Sequence, residues 1–263
     1  MVAKAIQRVR ELTAGTYTGI AAAIILLSWL AFALLPQHSS GHTQAPAAGH
    51  NMHGMHGMHH ADMAPMAAPV AHHPVLWVAI VSWIVMTIAM MGLATLPSIQ
   101  YIEQTMPWGR RGAAIAVYAA VWLAVWTVIG VVITLAQSAA IGAPPWWLFA
   151  GALVLAALWQ LTPLKCVALG DCHKSRPLPP TGWPAAQAVT RFGAFGGWAC
   201  VRSCWAVMLA MALAPTAHIL WMVPLTVAVT WERFTRQPRR TARILAGVFV
   251  IAAAAVGVFA AIQ

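Results

Sequence analysis

Residues 233–262 read RFTRQPRRTAR followed by ILAGVFVIAAAAVGVFAAI. Five arginines (Arg233, Arg236, Arg239, Arg240 and Arg243) precede nineteen residues, Ile244 to Ile262, that carry no charge. Crossing the hydrocarbon core of a bilayer takes about 20 mainly apolar residues. Lys and Arg concentrate in the loops on the cytoplasmic side. The stretch therefore reads as a cytoplasmic loop feeding a transmembrane helix.

The rest of the chain repeats this alternation. Apolar spans are expected at about 14–35, 75–97, 113–136, 146–162, 195–214, 217–231 and 244–262. The sixth is short and contains Pro224. Of 263 residues, 61% are hydrophobic and 8% are charged. A soluble domain has roughly 25% charged residues to wet its surface, so the composition excludes an ordinary soluble fold. Basic residues lie before the first span (Lys4, Arg8, Arg10), after the second (Arg110, Arg111), after the fourth (Lys165, Lys174, Arg176, Arg191) and after the sixth. The other connections have none. The fold class is thus an all-α polytopic membrane helix bundle of about seven spans, N-in and C-out. The net charge of +10 records topology and not a nucleic-acid partner. The first span is too long for a signal h-region of about 7–15 residues, so a retained helix is expected.

Three regions follow: 1–35, a basic segment and the first span; 36–74, an external loop; and 75–263, a six-helix membrane domain. The bilayer to expect is the bacterial inner membrane, with the loop periplasmic. Residues 36–74 hold nine of the eleven His. The densest part runs His50, Met52, His53, Met55, His56, Met58, His59, His60, with His72 and His73 at the end. Gly, Ala, Pro, His and Met cannot build a packed core, so the loop is expected to lack order without a ligand. Imidazole suits Zn, Cu, Fe and Ni, whereas thioether selects Cu(I). The mixture points to copper, as Cu(I), with zinc as the alternative.

Sulfur also patterns the spans. Cys200, Cys204, Met208 and Met211 fall within roughly 80° of helical arc at about 100° per residue. Met86 and Met90, with Met91 beside them, and His218 with Met222 repeat the i, i+4 spacing. Core filling is the bland explanation, since Met commonly fills gaps and buried Cys acts as a small hydrophobe. The four cysteines lie between 166 and 204, at the reducing edge of the membrane, where disulfides are rare. Cys166, Cys172, His173, Cys200 and Cys204 are a candidate soft-metal site there. Structural zinc and unliganded buried thiols are the competing readings. Glu232, beside Arg233, has Arg202, Arg233 or solvent as expected partners, and Asp171 reads as a loop acid. Arg202, inside a span, needs a partner or an edge position. Trp108, Trp146, Trp147, Trp183 and Trp231 read as interfacial anchors.

Over about 75–263 the chain resembles a bacterial integral membrane family described as predicted metal-binding, some members of which are labelled copper chaperones. The likeness rests on Ala89-Met90-Met91 followed by Pro97, and on Gln160-Leu161-Thr162-Pro163-Leu164-Lys165 with Cys166 after it. Cys200, Cys204-Trp205 and Met208, Trp221-Met222, and Glu232 with its basic neighbour complete it. The family pattern has Gly before Cys-Cys-Trp, where this chain has Arg202-Ser203-Cys204-Trp205, and His218 stands where Asn is usual. The resemblance implies metal handling without fixing a mechanism.

The expected function is capture of periplasmic copper on the loop and relay of Cu(I) through the bundle, as a chaperone or importer serving a cuproenzyme or metallochaperone. No G-x-x-x-x-G-K-[ST] phosphate loop occurs to energise transport. The alternatives are a subunit of a copper-dependent membrane complex, for which Gly193, Gly196 and Gly197 would allow close helix contact, and a thiol–disulfide oxidoreductase. The latter lacks a C-x-x-C motif.

Overall fold

A computed structural model describes residues 15–34, 76–139, 145–214, 218–235 and 237–262. Among these residues the secondary structure is helical throughout. In chain order the α-helices are α1 (Thr16–Leu34), α2 (Leu76–Met91), α3 (Leu96–Thr105), α4 (Arg111–Ala139), α5 (Trp146–Leu161), α6 (Pro163–Asp171), α7 (Gly182–Ala212), α8 (His218–Phe234) and α9 (Pro238–Ile262).

Five stretches are long and apolar enough to cross a membrane: α1, Trp77–Thr105, Trp108–Gln137, α7 and α9. The second joins α2 to α3 through a 3₁₀ turn at Gly92–Thr95, so this span runs past the expected end at 97. The bent pair α5–α6 is long and apolar enough only when its two helices are taken together, as a broken span or a re-entrant loop. The expected sixth span, here α8, has 17 residues and Pro224 inside it. At 1.5 Å per residue that is about 25 Å, short of a 30 Å core. It nonetheless runs the length of α5. Near its start Trp221 stacks on Phe149 (centroids 4.8 Å apart), and near its end Glu232 meets Gln160.

The basic segments gather at one end of the bundle. There Tyr101 donates to the Arg176 carbonyl (2.8 Å), His173 Nε2 meets the Arg233 carbonyl (2.9 Å), and Arg111 donates to the Met106 carbonyl (2.9 Å). The Thr16 end of α1 joins them. Glu103 of α3 accepts the backbone N–H groups of Tyr17 and Thr18 (3.2 Å each) and the Thr18 hydroxyl (2.7 Å). The opening N–H groups of a helix have no partner within it, and here a carboxylate from another helix satisfies two of them. At the opposite end, Gln137 of α4 donates to the Ala212 carbonyl of α7 (2.6 Å). Trp146 of α5 stacks there on Phe259 of α9, centroids 5.1 Å apart.

The α4–α7 contact depends on small residues. A Cβ on Gly193 would lie 2.9 Å from the Tyr118 carbonyl oxygen, and one on Gly197 3.1 Å from Val125 Cβ. Glycine lets the two backbones approach, and dispersion between close-packed helices replaces the hydrophobic drive that lipid removes. Of the expected interfacial tryptophans, Trp108, Trp147, Trp183 and Trp231 are exposed, while Trp146 packs on Phe149 and Phe259.

Candidate metal centre

Three helices contribute sulfur side chains to one extended buried cluster. Met86, Met90 and Met91 of α2, Cys200, Cys204, Met208 and Met211 of α7, and Met222 of α8 belong to one contiguous buried cluster. Met91, Met208, Met211 and Met222 have no exposed surface. Trp83, Trp122 and Trp126 of the same cluster help to wall it off, and Trp83 donates to the Trp126 carbonyl (3.0 Å). The result is a buried core rich in soft donors along its length. Thioether and thiolate ligands suit Cu(I), and few side chains compete with them inside the cluster.

A polar floor lies beneath the sulfurs, and the string Gln160 to Lys165 builds it. Pro163 excludes the helical region for Thr162, which is extended (φ −76°, ψ 144°) and ends α5. The Thr162 hydroxyl then accepts the Lys165 backbone N–H (3.3 Å), with Pro163 in the first turn, so α6 starts at once. Ser, Thr, Asp and Asn favour that cap position, and proline suits the first turn because its missing N–H would be unpaired anyway. The axis turns by 77° between α5 and α6. The turn aims Lys165 into the bundle. Its ammonium pairs with Glu232 Oε2 at 2.9 Å and donates to the Ser203 carbonyl, and both charged side chains are almost wholly buried (1% and 2% exposed). Gln160 Nε2 donates to the same carboxylate oxygen at 3.4 Å. Glu232 is therefore neither solvated nor paired with Arg202 or Arg233, as its position at a span edge had suggested. Arg202 pairs instead with Asp171, the last residue of α6. Spacing alone does not mark Lys165 as the partner of Glu232, although the Thr-Pro dipeptide before it signals the change of chain direction.

Ser203 connects this floor to the thiols. Its hydroxyl donates to the Cys200 carbonyl (2.9 Å) and lies 3.3 Å from Cys204 Sγ and 3.7 Å from Cys172 Sγ. Cys200 and Cys204 are within hydrogen-bonding reach of each other. All four cysteines are free. Burial pushes the Cys172 thiol up, and the Arg233 guanidinium opposes that rise. Cys172 and Cys200 both line a small cavity of about 10 Å³, and Cys172 also lines a wider one of about 350 Å³.

The five-residue edge site does not assemble as a unit. Cys166 is half-buried, away from the α6 face made by Lys165, Ala168 and Leu169. His173 has Nδ1 on the Leu169 carbonyl (2.8 Å) and Nε2 on the Arg233 carbonyl (2.9 Å). Both ring nitrogens thus face carbonyl oxygens of the protein, and not a position shared with the cysteines. Among the described residues no three His, Cys, Asp or Glu form a metal-binding group. The remaining donors at the core are the methionines. His50, Met52, His53, Met55, His56, Met58, His59, His60, His72 and His73 lie outside the described residues, as does the side chain of His218.

One family model matches the chain, over residues 80–256, and its description is PpoB2: Copper chaperone. No curated protein matches, and no solved structure does.

Proposed function

The chain belongs to this copper chaperone family, and from that premise we propose that it takes copper from the periplasm and holds Cu(I) in the buried sulfur cluster of an inner-membrane bundle, for transfer toward cuproenzyme assembly. One observation carries the reading: eight sulfur side chains from three helices share one buried cluster. The His/Met loop gathers the ion outside. Within the bundle, Cys200 and Cys204 bind as thiolates, and Met90, Met91, Met208, Met211 and Met222 supply neutral ligands of similar softness. Two thiolates and one Cu(I) leave a net negative charge. An uncompensated charge is costly in hydrocarbon. Lys165 is already paired with Glu232, so the Arg233 guanidinium, which lines one cavity with Cys172 and Cys200, is the cation that offsets it. The basic segments face the cytoplasm, which makes the chain N-in and the loop periplasmic.

Cu(I) titration of the detergent-purified protein under reducing conditions tests the core. The wild type should bind Cu(I) tightly, and Cys200→Ser with Cys204→Ser should remove the core share of that binding and leave the share held by the loop. Unchanged copper content in the double variant would exclude the core site. Total copper in cells lacking the protein tests direction: a fall supports import, whereas a rise overturns it.

A further inference from the structure

The 350 Å³ cavity lies at the basic end of the bundle and has no part in the cluster reading. It shares Ser98, Cys172, Lys174, Phe192 and Arg233 with the 10 Å³ cavity that reaches Cys200. Cys172 is thus the thiol between an open chamber and the inner thiols. Small-molecule sites commonly occupy about 300–1,000 Å³, so the chamber is of ligand size.

Its walls favour an anion. Lys174, His173 and Arg233 all line it, and among the described residues no acidic side chain does. Asp171 lines only the inner cavity, and Arg202 and Lys174 already pair with it. Arg233 spends Nη2 on the Cys172 carbonyl (2.9 Å) and the Ala94 carbonyl (3.3 Å), while its buried Nε has no partner among the described residues. A buried guanidinium N–H without an acceptor suits a carboxylate. Phe192 and Tyr101 supply apolar wall.

We propose that this chamber binds a small anionic thiol carrying Cu(I), and that copper passes between that carrier and Cys172 by ligand exchange. The exchange is reversible, and the proposed relay runs it toward the carrier. In the loading direction that the test reads, the carrier's S–Cu(I) bond breaks and a Cys172 Sγ–Cu(I) bond forms. The Cys172 thiol proton goes to the departing carrier sulfur. Copper stays Cu(I) throughout, so no oxidant or reductant is needed. Ser203, in contact with both Cys172 and Cys204, marks the step from the chamber thiol to the inner pair. The transfer step rests on the cluster reading, whereas the binding of the anionic carrier does not.

The test uses the full-length protein in detergent. S-methylglutathione, which keeps the carboxylates and lacks a free thiol, should bind the copper-free wild type. Lys174→Glu should weaken it by about fivefold, the size of one partly exposed charge contact. The Cu(I) complex of glutathione should then deliver copper faster than the Cu(I) complex of neutral 2-mercaptoethanol at equal free copper. Lys174→Glu should shrink that ratio, and Cys172→Ala should slow delivery from both carriers. Absence of S-methylglutathione binding overturns the proposal. If it binds but neither carrier delivers copper, the exchange and the cluster reading fall together. If copper arrives at equal rates from both carriers, in wild type and Cys172→Ala alike, the exchange site alone falls.

Discussion

Lys165 is among the largest fully buried side chains of the molecule, and it carries a charge. Its pair with Glu232 stands away from water, where separating the partners leaves an uncompensated ion. Lys165→Met alone, or Glu232→Met alone, should destabilise the protein by about 3–5 kcal/mol. The double substitution should cost much less than the sum, because a buried pair replaced by apolar residues of similar size is often close to neutral. Thermal unfolding of the four proteins in one detergent measures this cycle, and additive losses would show that the two residues act separately. Glu232 stood out in the sequence as an acid at a span edge. Its partner did not, because Lys165 was counted with the basic residues of a loop. A hydropathy window carries no information about a 77° turn that swings a loop lysine inward. His173 shows the converse. Its place beside Cys172 suggested a ligand, but both nitrogens face carbonyls that only the folded chain brings near.

Among the helices, α4 and α7 meet through glycine, and the gap is measurable. Gly193→Ala would put a Cβ 2.9 Å from the Tyr118 carbonyl, a fixed backbone atom, and should destabilise the bundle by about 1–3 kcal/mol. A Cβ added to Gly247, on α9, would meet no atom within 4 Å, so Gly247→Ala should be neutral or stabilising by up to about 1 kcal/mol. Melting temperatures of the two variants against wild type check the contrast, and equal shifts would contradict it. The apolar spans were legible because each helix needs lipid-compatible length. Their ends were less so. α7 begins at Gly182, well before the span expected from 195, and α6 lies in a segment read as loop. Both differences involve chain beyond the most apolar windows, where tertiary contact and the Thr162 cap, and not hydropathy, decide the conformation. The cysteine stripe on α7 was legible from its spacing alone, but its meeting with α2 and α8 depends on how the helices are arranged.

For the molecule as a whole, the basic segments among the described residues lie at one physical end, where Thr18 meets Glu103, Tyr101 meets the Arg176 carbonyl and His173 meets the Arg233 carbonyl. The loop 36–74 and the bundle are separable in the reading of function. Deleting 36–74 should leave the bundle folded with its core Cu(I), while removing the additional copper bound outside. Metal analysis at saturating and at limiting copper reads both. Loss of all copper on deletion would place the only site in the loop. The tie between Glu103 and α1 also sets an order of assembly. The acceptor for Thr18 lies 85 residues further along the chain. At ribosomal speeds of about 5–20 residues per second, roughly 4–17 seconds separate the synthesis of the two. During that interval the opening amides of the first helix have only water as a partner in place of Glu103. The N-terminal helix is thus made first and locked late, and any factor that escorts the nascent chain has that window in which to hold it.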